Sequence, residues 1–290
     1  MGSPISVTVE RGGVVEARHT VHAVAVREDE VVEAAGNSGL VTFMRSVAKP
    51  LQALPLAGEE AGLPVEQLAI ACASHDGLPE HLAAVQALLA RSGSSEDELE
   101  CGAESGSRAR HNCSGKHAAM LLRAKRHGWP LPGYRLAGHP VQEEAALVVA
   151  EATGLEAGDI ATAVDGCGVV TFAVSLRAMA TAFARLARRE LPGSEHVAAA
   201  MIARPELIGG PGAGDTAFML ASPGALAKRG AEGLLCISLA DGTGVTIKVE
   251  DGANRAALPA AAVFLGIDEL AEQPVFNSRG EHVGHVFPAR

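Results

Sequence analysis

Apolar-rich runs open the chain: "SVTVE", "VVEAR", "VHAVAVRED" and "EVVEAAG" fall between residues 5 and 35, separated by "RGG" and "EDE". Short runs broken by turn residues predict a β-meander. From Lys49 to about Leu191 the pattern turns helical in "PEHLAAVQALLARSG", "GKHAAMLLRAKRHG", "HPVQEEAALVVAEATG" and "VSLRAMATAFARLARRE". Each is rich in alanine and leucine and closes near glycine or basic residues. The last third returns to strands in "LLCISLA" and "GVTIKVED", adds a short helix near "AALPAAAVFLG" and finishes in "EHVGHVFP". No internal repeat or low-complexity linker interrupts the chain. Strands at both ends with helices between predict an α/β (α+β) domain over residues 1–290. Its antiparallel sheet is built from about 1–48 and 192–290, and residues 49–191 form a helical region against it. A site is expected at the seam, where "FMRSVAKPLQ" hands the first sheet segment to the first helix.

Composition narrows the classes. A chain of 290 residues that is 48% hydrophobic can bury a sizeable core. Its net charge of -10 argues against a nucleic-acid footprint, and no Lys/Arg run suits an anionic membrane surface. No window approaches the roughly 18 apolar residues of a membrane span. The opening "MGSPISVTVERGG" lacks a basic leader and a cleavage site, so secretion is not expected. Cys72, Cys101, Cys113, Cys167 and Cys236 are odd in number and widely spread, which fits free thiols in a reducing cytoplasm. Small neutral or anionic molecules are the substrates this charge balance leaves open.

Lysine usage changes the picture more than net charge does. Of 24 basic residues only five are lysines: Lys49, Lys116, Lys125, Lys228 and Lys248. Arginine fills the solvated roles, and because its pKa stays above about 12 it cannot act as a base. Lysines kept against that background are candidates for chemistry. Lys125, in "RAKRHG", and Lys228, in "AKRG", read instead as solvated.

Ser46 precedes Lys49 by three residues, so a helix starting at or before Ser46 would put both on one face. A desolvated lysine can take a serine proton, whereas an N-cap serine followed by a solvated lysine has the same spacing. In "IACASHDG" an apolar run stops at Ser74, His75, Asp76 and Gly77, the pattern of a cleft lining or of a helix cap before "PEHLAAVQ". Lys248 follows Val245 and Ile247 on a strand and faces away from them; the plain alternative is an exposed lysine on an edge. Two serines and two lysines in this order resemble the serine β-lactamases and penicillin-binding proteins, although the Ser-Asp-Asn and Lys-Thr-Gly forms are absent.

"RHNCSGKHAAML" gathers Cys113, Ser114, Lys116 and His117 at a helix start, and "VDGCGVVTF" sets Cys167 between glycines after Asp165. Cys113 and Cys167 could be soft zinc ligands with His117 or a neutral Lys116 as the third, or simply buried thiols. The loop "IGGPGAGDTAFML" lacks the ending of a phosphate loop and reads as a tight turn lining a pocket at Gly209 and Gly210. Asp165 and Asp215, each beside glycine, could hold a substrate ammonium or cap a turn.

Together "RSVAKPLQ", "CASHDG", "HNCSGKHAAML", "DGCGVVTFA", "GDTAFM", "VEDGANRA" and "NSRGEHVGHV" closely resemble the asparaginase II family, the rhizobial-type or class 3 L-asparaginases, from about Val7 to Val286. The resemblance implies a fold like that of serine-dependent glutaminases and β-lactamases, and hydrolysis of L-asparagine to L-aspartate and ammonia. It implies Ser46 as nucleophile, Lys49 as its base, and Ser74 with Lys248 as a second serine–lysine pair. It further implies a zinc held by Cys113, Lys116 and Cys167, assisting binding more than chemistry, with Arg45, His117 and Asp165 at the amino-acid head group and a homodimeric assembly. His75, Gly209 and Gly210 complete the expected substrate lining. "SHDG", "DGCGVV" and "GAGDT" depart from the family's usual forms in substrate-lining segments, and the chain is short for the family. Activity on glutamine, esters or β-lactams, and a non-catalytic amino-acid or zinc-binding role, are the alternatives.

Overall fold

The computed structural model describes residues 2–59 and 63–289. Three strands open it: β1 (Ile5–Arg11), β2 (Val14–Arg27) and β3 (Glu30–Ala35). They form the meander the "RGG" and "EDE" punctuation predicts. Gly12 and Gly13 both take positive φ, the backbone that lets a two-residue hairpin follow the twist of its strands. The second hairpin places Glu28 and Asp29 in the same region without glycine. Arg185 at 2.8 Å and Arg188 at 3.3 Å donate to the Asp29 carboxylate and hold that turn.

Next come the short strand β4 (Val41–Phe43), then β5 (Ala161–Val164), β6 (Val170–Ser175), β7 (Leu226–Gly230), β8 (Leu234–Ser238), β9 (Gly244–Val249), β10 (Gln273–Phe276) and β11 (His282–Pro288). The large sheet runs β10-β11-β1-β2-β9-β8-β7, with β3 also on β2. Its pairs are antiparallel, and two ladders join the chain ends: β1 with β11, and β2 with β9 from Val21↔Val249 to Val26↔Gly244. Strand β9 is therefore central and buried along its whole length rather than an edge, which removes Lys248 from solvent. β7 ends this order on one side and β10 on the other.

The helices expected in the middle region are present. Pro79–Ser92 ends at Gly93 and Pro140–Thr153 at Gly154, both in the left-handed conformation that closes a helix, and Ser114–Arg126 lies between them. Leu176–Ala187 starts on the Ser175 side chain, which accepts from the Ala178 N–H, and packs on β9. The middle region is largely helical, as expected, and also contains a short hairpin. Strands β5 and β6 lie inside it and form a second sheet, β4-β6-β5. Runs of four and six residues are too short to show a strand period, and β6 pairs with β4, a partner far away in sequence. In the C-terminal region, helices Ser194–Ala203 and Gly214–Ala221 stand among the strands.

Helix Ser114–Arg126 meets the helix Val65–Ala71 at very close range. A Cβ on Gly115 would lie 2.1 Å from the Ile70 carbonyl oxygen. That approach fixes where the residues around the helix start are held. Gly115→Ala should therefore force the two helices apart and destabilise the protein by about 1–3 kcal/mol, the usual cost of overpacking, read as a lower urea midpoint.

Candidate functional site

The chain leaves β4, anchors through the Met44 N–H to the Phe172 carbonyl (2.8 Å), and turns sharply at Arg45. Arg45 has φ of +51°, costly for a side chain with a Cβ. Two contacts hold it there: its N–H donates to Thr171 Oγ1 (3.1 Å) and its guanidinium to Asp165 Oδ1 (2.5 Å). A 3₁₀ turn, Arg45–Ala48, follows, then a helical turn from Lys49 capped early by Pro50. Ser46 thus sits on an elbow, half-buried and lining a cavity. On the other side of the elbow β7 ends at Gly230, where a Cβ would lie 3.1 Å from Val47 Cγ1 and 3.3 Å from the Met44 carbonyl oxygen. Only a bare backbone lets the sheet edge come this near.

Lys49 is completely buried. Its Nζ contacts the Ala73 carbonyl (2.5 Å), Ser74 Oγ (2.8 Å) and the Asn112 carbonyl (3.5 Å). As an ammonium it donates to Ser74; as a neutral amine it would receive the Ser74 hydroxyl proton along the same line. The hydrogen-bonded serine–lysine pair is therefore Lys49 with Ser74, whereas Ser46 Oγ faces the cavity without a protein partner among the described residues. Lys248 does not reach Ser74: its Nζ is spent on the Glu232 and Val249 carbonyls, both at 2.6 Å. The central position of β9 turns its side chain into main-chain acceptors instead.

The cavity encloses about 630 Å³ and reaches Ser46, Ser74 and Asn112. Gly212 and Gly214 of the glycine loop line it; Gly209 and Gly210 lie buried just behind. Gly210 has φ of +118°, and a Cβ there would strike Asp76 Oδ2 at 2.6 Å. The loop still touches the site, since the Ile208 carbonyl accepts from the Ser74 N–H (2.8 Å). His75 is a structural support: Nδ1 accepts from the Gly77 N–H, and Nε2 donates to Ser114 Oγ (2.9 Å), which itself donates to the Ala109 carbonyl. Burial holds His75 down to about 3, so it stays neutral.

On the far side, the β5–β6 turn brings Asp165 and Cys167 to the start of helix Ser114–Arg126. Lys116 Nζ donates to Cys167 Sγ (3.2 Å). The Cys113 thiol is held well below its ordinary value by a hydrogen bond from Cys167, against burial and helped by the Lys49 charge, while that same contact and burial push Cys167 up. Burial would lower the Lys116 amine, but Cys167, Cys113 and Asp165 outweigh it and raise it. Among the described residues no group of three or more His, Cys, Asp or Glu side chains is arranged to hold a metal. The donor set here is two sulfurs and an amine, soft enough for zinc once the amine loses its proton. Beside it, His117 Nδ1 meets the Tyr134 hydroxyl at 2.7 Å. That hydroxyl already accepts from the Glu100 N–H, so it donates to Nδ1 and leaves the His117 proton on Nε2. Buried Nε2 has no partner among the described residues, and burial keeps the ring neutral.

Sequence reasoning passed over Arg229 and the pairing of Lys228 with Asp215. Arg229 donates to the Ser74 carbonyl and to Asp76, both at 3.1 Å. Lys228, expected in solvent, is completely buried with Asp215 at 3.2 Å, and the Arg229 N–H also donates to that carboxylate. The scarcity of lysine was the signal available for it. Asp215 accordingly serves the protein interior rather than a substrate ammonium. Burial would raise its carboxyl, but Lys228 and Arg229 hold it below its ordinary value; burial, opposed by Asp215 and aided by Lys49, brings Lys228 to about 8. A carboxyl lowered on folding contributes stability that is complete above its unfolded pKa of about 3.9 and lost as pH falls through the folded value. Asp215→Asn should cost about 3–5 kcal/mol at pH 7, as expected for a buried charge left alone, and urea midpoints should converge with those of the parent as the pH is taken below about 4.

Several solved structures are similar to this one. Mglu in its native form matches with 14% identity and a TM-score of 0.48, over 86% of this chain and 64% of that one. Mglu in its Tris and glutamate form gives 16% and 0.47, over 92% and 63%. The chain thus spans a little under two thirds of Mglu. A beta-lactamase from Mycobacterium bovis gives 15% and 0.46, over 80% and 87%. No curated protein sequence matches. The family model described as L-asparaginase II matches residues 7–288, from the first buried residue of β1 to the end of β11, and the chain belongs to the L-asparaginase II family.

Proposed function

We propose that the protein hydrolyses the side-chain amide of L-asparagine to L-aspartate and ammonia through an acyl-enzyme on Ser46. The observation that carries this reading is the buried Lys49 amine hydrogen-bonded to Ser74 at the wall of the cavity that Ser46 also lines. Ser46 Oγ attacks the amide carbon, and its proton passes by way of Ser74 to Lys49 and then to the departing ammonia. Water repeats the sequence on the ester and releases aspartate. The N–H of Ser46 and the free edge of β7 at Gly230 and Ala231 supply donors for the developing oxyanion. Arg45, fixed by Asp165, and the unpaired Nε2–H of His117 are the groups offered to the amino-acid head group.

Zinc belongs to the same proposal. Cys113, Lys116 and Cys167 would hold it, and its chemistry there is a fixed positive charge that favours an anionic head group. A homodimer is carried over from the family resemblance and a reducing cytoplasm from the odd, scattered cysteines; among the described residues no helix is long and apolar enough to cross a membrane.

Ser46→Ala should lower ammonia release from asparagine by several orders of magnitude with an unchanged far-ultraviolet spectrum. Near-normal release would remove Ser46 from the nucleophile role. Asparagine and glutamine assayed side by side decide the side-chain preference. Metal content of protein purified without added zinc should be near stoichiometric and vanish in Cys113→Ala; an equal content in both would end the zinc assignment.

A further inference from the structure

The cavity is far larger than asparagine requires. At about 630 Å³ it falls within the roughly 300–1,000 Å³ range of sites that enclose drug-sized ligands. Past Ser46 and Ser74 it runs along β7 and β8 to a wall made by Leu258, Val275, Phe276 and Val286. Among the polar side chains on this distal half, Asn254 Oδ1 accepts from the Gly233 N–H and Gln273 Nε2 donates to the Leu270 carbonyl, and the one charged side chain with free donors is Arg255.

Arg255 is held in place. Its Nε donates to His19 Nε2 at 3.2 Å. An imidazole that accepts at Nε2 carries its proton on Nδ1, and that proton goes to Asp251 Oδ2 at 2.7 Å. His19 is 5% exposed, so a buried imidazole braced by a carboxylate orients the guanidinium. The two terminal amino groups of Arg255 have no partner among the described residues. Arg229, the other cation on the cavity wall, is already committed to Ser74 and Asp76.

A serine at one end, an apolar slot beyond it and a braced guanidinium at the rim describe an amide with a large leaving group. We propose that the cavity takes β-aspartyl dipeptides whose second residue is apolar, its side chain in the Leu258–Val275–Val286 slot and its carboxylate on Arg255. The proposal rests on Ser46 acyl transfer as set out above. Ser46 Oγ bonds to the aspartyl side-chain carbon, the C–N bond breaks, the serine proton leaves on the amine of the apolar amino acid, and water cleaves the ester to give aspartate and Ser46.

The test uses the full-length protein with L-β-aspartyl-L-leucine, its leucinamide analogue and L-asparagine, following leucine, leucinamide and ammonia. Leucine release is expected, with loss in Ser46→Ala. Arg255→Ala should raise KM for the dipeptide roughly tenfold, the scale of one charge-assisted contact, and leave the leucinamide analogue and asparagine unchanged. Val275→Trp should depress kcat/KM for both dipeptide forms while asparagine turnover, which also reports a folded protein, is kept. Asparagine turnover without leucine release overturns this proposal alone. Leucine release indifferent to both substitutions also overturns it. No turnover of any substrate removes the asparaginase reading and this one together.

Discussion

The ladder between β2 and β9 is the constraint on which the molecule rests. It brings segments more than two hundred residues apart into register over six residue pairs. Once those are joined, β8 and β7 have only one side of β9 to occupy, and β7 becomes the edge that reaches the Ser46 elbow. A slip of one residue would turn Lys248 and Thr246 over and bury the wrong face. The complete burial of β9, together with the close seat of helix Leu176–Ala187 on Gly244, makes such a slip prohibitive.

Burying cations is costly, and this chain meets that cost in four ways. Lys228 has a carboxylate, Lys116 a pair of sulfurs, Lys248 two main-chain carbonyls, and Lys49 two carbonyls and a hydroxyl. Only Lys125 stays partly in solvent, bonded to the Gly93 carbonyl. Of these environments, the one around Lys49 combines the absence of a direct carboxylate partner with a hydroxyl at the cavity wall. That combination suits a group that must give up and recover a proton.

Much of this was legible in the sequence. The meander, its turn residues, the glycine-stopped helices and the sharing of one sheet by both ends follow from local patterns. The motif segments carrying Ser46, Ser74, Cys113 and Cys167 do converge. What was not legible depends on partners distant in sequence. The β5–β6 hairpin needs β4; the choice of Ser74 rather than Ser46 as the contact of Lys49 depends on where the turn at Arg45 aims each side chain. The distinction between Lys228 and Lys248 depends on which strand is central. "AKRG" looks solvated by composition, yet β7 turns its lysine inward onto Asp215 of the helix just before it.

Two of the three atoms around Lys49 Nζ belong to the main chain. Carbonyl oxygens are present whatever side chain follows, so the polarity felt by this amine is written into the path of the backbone at Ala73 and Asn112 and is largely indifferent to the identity of those residues. Natural variation can therefore reshape the cavity walls around the amine, and with them the size and polarity of what the cavity admits, while the surroundings of Lys49, the proton acceptor proposed above, stay as they are. New specificity in this scaffold has a route that does not pass through loss of the reaction.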